Sequence, residues 1–263
     1  MTQHVTSVTG DRIGFDRYGE DGPAVVFVAG AGPFRATDPV TTRTAQLCAE
    51  QGLVALVHDR LGRGESPADG PLDLDRELHA LSAVIDAAGP PAVLVGHSSG
   101  AALALCAADA ELLTAGLLLW EAPLAAPADD VAEWITEFER RLDAEDFVGA
   151  TEQFMKDMPP EWLDGMRASP DFELLARAAV SQRADGQALV RATDLVETER
   201  LRELAIPVLA TYGSQTFPEM PVAAERIAGA VTRGAVEEVA GAQHTWDPEA
   251  MAERIVRFVR DGA

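Results

Sequence analysis

The sequence predicts an α/β fold in which helices flank a mostly parallel β-sheet and a helical segment is inserted near the middle of the chain. Short apolar runs, typical of strands buried on both faces, alternate with longer amphipathic segments. This alternation is typical of β-α-β units with right-handed crossovers. From residue 125 to residue 204 the alternation stops, and the sequence shows no convincing strand pattern there.

The strand patterns are of two kinds. Two alternating segments, Val5–Val8 and Ile13–Tyr18, flank the turn dipeptide formed by Gly10 and Asp11 and predict an antiparallel hairpin at one edge of the sheet. The other patterns are continuous apolar runs, which predict buried strands at Ala24–Ala29, Leu53–Val57, Ala92–Val95, Gly116–Trp120, Pro207–Thr211 and, with fewer apolar residues, Ala235–Val239.

Apolar residues spaced at i, i+3 and i+4 predict the helices that connect these strands. The predicted helices are Thr41–Gln51, Leu74–Ala88, Ser99–Ala108, Val222–Val231 and Pro248–Arg260. In the segment 125–204 the same spacing predicts about four further amphipathic helices, inserted between two core strands.

Composition narrows the range of partners. The formal net charge of −22 repels phosphate backbones and anionic lipids, so neither a nucleic acid nor a membrane is an expected partner. The two cysteines, Cys48 and Cys106, form no disulfide framework, and no His, Cys or carboxylate cluster has ligand spacing, so neither a metal nor an organic cofactor is expected. The N-terminus shows no secretory signal, which predicts a cytoplasmic protein. The expected partner is a small-molecule substrate.

The most informative stretch is Val93–Ala102, which carries the pattern G-x-S-x-G from Gly96 to Gly100. A buried strand precedes the pattern and an Ala-rich helix follows it. A serine in so tight a turn projects its hydroxyl from the sheet edge, and flanking glycines relieve the crowding. Ser98 is therefore the predicted nucleophile.

In this context the stretch resembles the nucleophile turn of the α/β-hydrolase family, and Asp59–Ser66 is similar to that family's turn after the fourth strand. The resemblance covers nearly the whole chain. It implies an eight-stranded, mostly parallel sheet with a variable helical cap after the sixth strand. The core would comprise residues 1–124 and 205–263, and the cap residues 125–204.

A serine hydroxyl needs a neighbouring base. In the family the base follows the nucleophile along the chain, and His244 is the only histidine after Ser98, so His244 is the predicted general base. His97 lies inside the same turn as the nucleophile and is an unsuitable base. The remaining histidines are interpreted as structural: His4, His58 and His79.

The acid of the triad departs from the family's usual pattern. The resemblance places it after the seventh strand, where this chain has Thr216, and no carboxylate follows until Glu219. Some branches of the family, including certain dehalogenases, place the acid after the sixth strand, where this chain has Glu121. Glu121 is the predicted third member, because a carboxylate there can reach the Nδ1 atom of His244. The alternatives are Glu219 and a site without an acid.

The oxyanion hole needs two main-chain N–H donors. The residue after the nucleophile, Ser99, supplies one. The family resemblance assigns the other to the loop after the third strand, at Ala31, with Gly32 as the alternative. Apolar side chains that could line a substrate pocket, or instead pack the cap onto the core, are Trp134, Phe138, Phe154, Met158 and Trp246.

Three functional hypotheses follow. The first is hydrolysis of a small to medium carboxylic ester or lactone through an acyl-enzyme on Ser98. The second keeps the same triad for C–C bond hydrolysis, hydroxynitrile cleavage or acyl transfer, reactions that the family resemblance also allows. The third is a small-molecule binder without catalysis, which the missing acid after the seventh strand would explain. A serine nucleophile disfavours dehalogenase and epoxide-hydrolase chemistry, which in this family use an aspartate.

Overall fold

The computed structural model describes residues 2–262, which form one β-sheet of nine strands and ten α-helices. The strands are β1 (Gln3–Thr6), β2 (Arg12–Tyr18), β3 (Ala24–Val28), β4 (Val54–His58), β5 (Ala92–His97), β6 (Thr114–Trp120), β7 (Val208–Gln215), β8 (Gly234–Ala242) and β9 (Thr245–Trp246). The helices are α1 (Pro39–Glu50), α2 (Leu74–Ala88), α3 (Ser99–Asp109), α4 (Ala128–Asp143), α5 (Phe147–Phe154), α6 (Pro160–Arg167), α7 (Phe172–Ala176), α8 (Arg183–Glu197), α9 (Glu219–Ala230) and α10 (Pro248–Arg260).

The sheet has the strand order β1-β2-β4-β3-β5-β6-β7-β8-β9. The strands from β4 to β8 in this order pair in parallel, and β1, β2 and β9 pair antiparallel at the two edges. This confirms the predicted α/β-hydrolase fold and its opening hairpin. Within residues 2–262 the sheet has one strand more than expected, because β9 is only two residues long and too short to leave a sequence pattern.

The core lies in two clusters, one on each face of the sheet. On one face α2, α3, α8 and α9 cover the sheet, and on the other α1 and α10 do so. Alternation along β6 shows why both faces are apolar, since Leu117 and Leu119 pack into the first cluster and Leu118 and Trp120 into the second. The consequence is a rigid central sheet whose strand ends can hold side chains in fixed positions.

Between β6 and β7 the described chain forms the five α-helices α4–α8, with a 3-10 helix between α7 and α8 and another after α8, where the sequence predicted about four. Helices α4 and α5 bury side chains against each other in a third apolar cluster. Helix α8 differs, because Ala188, Ala192 and Leu195 pack into the main core. The inserted segment is thus anchored to the sheet layer through its last helix.

Candidate active site

Ser98 lies in the sharp turn between the last residue of β5 and the first residue of α3. Its backbone has φ 54° and ψ −124°, a conformation that non-glycine residues rarely adopt. The turn is tight on both sides: a Cβ atom added to Gly96 would lie 2.5 Å from the Cα of Ala101, and one added to Gly100 would lie 2.2 Å from the carbonyl oxygen of Val28. Only glycine fits at either position, as the sequence pattern predicts.

His244 lies at the tip of the hairpin that joins β8 to β9. Ala242 pairs with Thr245, so Gln243 and His244 form a two-residue loop, and both have positive φ (51° and 66°) as in a type I′ turn. The His244 carbonyl accepts hydrogen bonds from the Trp120 indole N–H (3.2 Å) and from Nε2 of His97 (2.8 Å). These two hydrogen bonds therefore hold the backbone of His244, the predicted base, in place.

Glu121 follows β6 directly and is buried, with φ 43°. Its Oε2 lies 2.5 Å from Nδ1 of His244. Its Oε1 accepts hydrogen bonds from the Gly213 N–H (2.9 Å) and from the Thr216 hydroxyl. Burial acts to raise the pKa of the Glu121 carboxyl, but the hydrogen bonds from His244, Thr216 and Gly213 outweigh it and hold this pKa below its usual value. The carboxylate is thus ionised at neutral pH and faces the imidazole.

Thr216 is a contact that sequence reasoning missed. It stands where the family resemblance places the acid, and its hydroxyl reaches the carboxylate of Glu121 from the adjacent strand end. Glu219, the alternative acid, is exposed at the start of α9 and makes no hydrogen bond to His244 among the described residues. The structure therefore brings Glu121, and not Glu219, to the histidine.

Ser98 and His244 lie near each other, but the described structure has no direct hydrogen bond between them. The ring of His97, the residue before Ser98, has its centroid 4.9 Å from that of the His244 ring. In a site without substrate, the bond from nucleophile to base is often long and tightens on binding.

The loop after β3 runs past the nucleophile. A Cβ atom added to Gly30 would lie 3.1 Å from the Cβ of Ser98 and 2.9 Å from the carbonyl oxygen of His97. Ala31 follows directly, and Ser99 begins α3, where main-chain N–H groups have no partner within the helix. The predicted donor Ala31 therefore directly follows Gly30, which lies against Ser98. The predicted donor Ser99 directly follows Ser98 itself.

Four of the five predicted pocket residues belong to one apolar cluster of the inserted segment. Phe138 and Phe154 are buried and pack with Trp134, at centroid distances of 5.0–6.1 Å, in the apolar cluster of α4 and α5, and Met158 packs against the same cluster. Trp134 and Phe138 come from α4, Phe154 from α5 and Met158 from the turn after α5. Ala31, the predicted oxyanion residue, packs against the same cluster, and a role of these side chains at a pocket stays a prediction.

Trp246 is buried on the other face of the sheet and donates its indole N–H to Thr44, at 2.9 Å. It also borders a cavity of about 240 Å³ whose wall includes Gly30, His97 and Thr41. Neither Ser98 nor His244 is among its lining residues, and Trp246 is the one predicted pocket residue found at it.

Two aromatic residues that were not predicted lie beside His244. Trp162, from α6, and Phe217, from the loop after β7, have ring centroids 6.3 and 6.4 Å from the His244 ring, and 6.0 Å from each other. Both are half-buried. They form an apolar wall over the histidine, and the sequence offered no means to choose Trp162 among the many aromatic residues of the inserted segment.

Other kinds of site find no support in the described chain. Residues 2–262 contain no group of three or more His, Cys, Asp or Glu side chains arranged to hold a metal ion. Over the same range, none of the helices combines the length and apolar character that crossing a bilayer requires.

Comparison with known proteins places the chain in a family. The model of the "Alpha/beta hydrolase family" matches residues 25–258. An α/β hydrolase from Sphaerobacter thermophilus DSM 20745 is 29% identical over 98% of this chain and 100% of its own, with a TM-score of 0.80. No curated protein matches the chain.

Two further solved structures share the fold. A thermophilic esterase from Thermogutta terrifontis, solved with malate bound, is 19% identical with a TM-score of 0.66, and the match covers 99% of this chain and 97% of the esterase. A loop variant of the haloalkane dehalogenase DbeA from Bradyrhizobium elkanii is 20% identical with a TM-score of 0.67, over 99% of this chain and 96% of the other. The same fold thus supports more than one chemistry, and the reaction has to be argued from the site.

Proposed function

The chain belongs to the alpha/beta hydrolase family, and on that premise we propose that it hydrolyses small to medium carboxylic esters or lactones through an acyl-enzyme on Ser98. The main support is the 2.5 Å contact between Nδ1 of His244 and the buried Glu121 carboxylate, at the strand end next to the turn that holds Ser98. A carboxylate in that place fixes the imidazole tautomer with Nε2 free to accept a proton.

In the acylation step the Ser98 hydroxyl oxygen attacks the ester carbonyl carbon, and Nε2 of His244 takes the hydroxyl proton. The negative charge that develops on the carbonyl oxygen is stabilised by the N–H groups of Ala31 and Ser99. Glu121 stabilises the imidazolium that forms. The C–O bond to the alcohol then breaks, and His244 returns the proton to the leaving alcohol.

In the deacylation step a water molecule replaces the alcohol. His244 removes a proton from the water, whose oxygen attacks the acyl carbon bound to Ser98. The same two N–H groups stabilise the second tetrahedral intermediate. It collapses as the bond between the acyl carbon and the Ser98 oxygen breaks and His244 returns the proton to that oxygen, which releases a carboxylic acid and free enzyme.

The surroundings of His244 bear on the substrate. The apolar pair Trp162 and Phe217 lies on the His244 side of the site. We infer that one part of the ester contacts this aromatic pair.

A fluorophosphonate probe tests the proposal. We expect one adduct per chain, located on Ser98 by peptide mass spectrometry and absent in Ser98→Ala. Short aryl esters should show a burst of phenol release equal to the labelled fraction. Labelling without turnover of any ester or lactone would favour C–C bond hydrolysis, hydroxynitrile cleavage or acyl transfer instead. The absence of labelling would favour a non-catalytic binder and contradict the proposal.

A further inference from the structure

A buried cluster of four charged side chains lies behind the turn that holds the nucleophile. Its members are Arg60 and Arg63, from the turn after β4, Glu77 of α2 and Asp185 of α8, and no side chain among them is more than 4% exposed. Two positive and two negative groups make the cluster formally neutral. Isolated buried charges are costly, so the members depend on one another.

Asp185 is the centre of this cluster. One carboxylate oxygen accepts hydrogen bonds from Nη1 of Arg60 and from the Ser99 hydroxyl (2.7 Å), and the other accepts from Nη2 of Arg63 (2.6 Å). Burial acts to raise the pKa of the Asp185 carboxyl, but the charges of Arg60 and Arg63 hold this pKa below its usual value. Asp185 is therefore an anion that directs three donors at once.

The two arginines extend these contacts to the loop after β3. Nη1 of Arg60 donates to the carbonyl oxygen of Ala29 (3.1 Å), and Nη1 of Arg63 donates to that of Gly30 (2.6 Å). The carbonyl of Gly30 and the N–H of Ala31 belong to one planar peptide unit and point in opposite directions. By holding the Gly30 oxygen, Arg63 therefore sets the direction of the Ala31 N–H.

We propose that Asp185 is a positioning residue for the oxyanion hole, which orients Ser99 directly and Ala31 through Arg63. This rests on the proposed function, since it concerns the two N–H groups assigned to the oxyanion. A single carboxylate from the inserted segment thus aligns one donor in the loop after β3 and one at the start of α3. The two N–H groups are then aligned only when α8 packs on the core.

The test is Asp185→Asn, which keeps the shape of the side chain and removes its charge. We expect kcat for an aryl ester to fall about 10²-fold with KM unchanged, because a displaced oxyanion donor weakens only the transition state. The affinity for an alkylboronic acid, which forms a tetrahedral adduct on Ser98, should fall by the same factor as kcat/KM.

The matched control is Asp11→Asn, which breaks a largely buried ion pair with Arg76 away from the site. It should lower the melting temperature and leave kcat and boronate affinity unchanged. Ser99→Ala is the second test, because it keeps the main-chain N–H and removes only the link to Asp185. It should lower kcat and boronate affinity about tenfold, the value of one hydrogen bond to a charged group.

Wild-type boronate affinity in Ser99→Ala, or losses in Asp185→Asn no larger than those in Asp11→Asn, would overturn the positioning role. If Asp185→Asn does not fold, Ser99→Ala decides the question alone. Fluorophosphonate labelling of the wild-type protein distinguishes a failure of this positioning role from a failure of the proposed hydrolase function. Labelled wild type with unaffected variants refutes the role of Asp185 only, whereas unlabelled wild type refutes the hydrolase mechanism as well.

Discussion

At the scale of single residues, the candidate triad is held in an uncommon backbone conformation. Ser98, Glu121 and His244 all have positive φ, between 43° and 66°, although none is a glycine. Such residues cost on the order of 1–3 kcal/mol each and persist only where the surroundings fix them. Here the fixing contacts are hydrogen bonds between strand ends, such as that from the Ser98 N–H to the Trp120 carbonyl (2.8 Å). The backbone conformation of the three candidate residues thus depends on contacts from neighbouring strands.

Glu121→Gln tests the assignment of the acid. The amide keeps the size of the side chain but lacks the charge that stabilises the imidazolium, so we expect kcat to fall by up to about 10⁴-fold. Glu219→Gln is the matched control and should retain wild-type kcat, because Glu219 is exposed. Steady-state kinetics on an aryl ester distinguishes the two variants. A collapse in Glu219→Gln with normal turnover in Glu121→Gln would reverse the assignment.

At the scale of secondary-structure elements, the inserted helices differ in what they contact. Helices α4 and α5 bury their aromatic residues against each other, α8 packs on the core, and α6 brings Trp162 to the His244 side of the site. Aromatic content alone therefore did not reveal which helix lies beside His244. Helix α6 has no buried residue, so Trp162 is free to contribute to binding more than to folding.

Trp162→Ala should act on binding. Loss of the ring removes apolar contact with the substrate, so we expect KM for esters with bulky apolar groups to rise about tenfold, with kcat little changed. The control is Leu174→Ala, which shortens an exposed apolar side chain elsewhere in the same segment and should leave KM unchanged. A series of esters of rising chain length provides the measurement. Equal KM values for Trp162→Ala and wild type across the series would exclude the ring from the binding site.

At the scale of the whole molecule, stability depends on buried neutral histidines. Burial is the main cause that lowers the pKa of His58 from 6.5 to about 4, assisted by the charge of Arg60. The unfolded chain therefore binds a proton at a pH where the folded chain does not. This contribution to the free energy of unfolding is complete above pH 6.5 and is lost as the pH falls toward 4.

Between pH 7 and pH 5 the loss from His58 amounts to about 2 kcal/mol. His58→Gln should remove that part of the pH dependence, whatever its effect on stability at pH 7. His79→Gln, at an exposed position, is the control and should keep the wild-type slope. Urea unfolding at the two pH values measures the difference, in which the carboxylates common to all variants cancel. An unchanged slope in His58→Gln would contradict the pKa assignment.

The fold and much of the site geometry could be predicted because their signals are local. Gly96 and Gly100 predict the turn around Ser98, and the end of an apolar run predicts the position of Glu121. The contacts of Thr216 and Asp185 could not be predicted, since each joins segments about 90 residues apart, at Glu121 and Ser99 respectively. Neither a lone threonine nor a lone aspartate forms a sequence pattern that predicts its partner. The contacts become visible only in the folded structure.

The meeting of the Thr216 hydroxyl with the Glu121 carboxylate has a consequence for how such sites diverge. Two neighbouring strand ends converge on a single location beside the imidazole, so negative charge can be supplied from either of them. A lineage can therefore move its acid across the sheet in two substitutions while the serine and the histidine stay in place. A small polar side chain at the other strand end, as Thr216 is here, can then donate a hydrogen bond to the carboxylate.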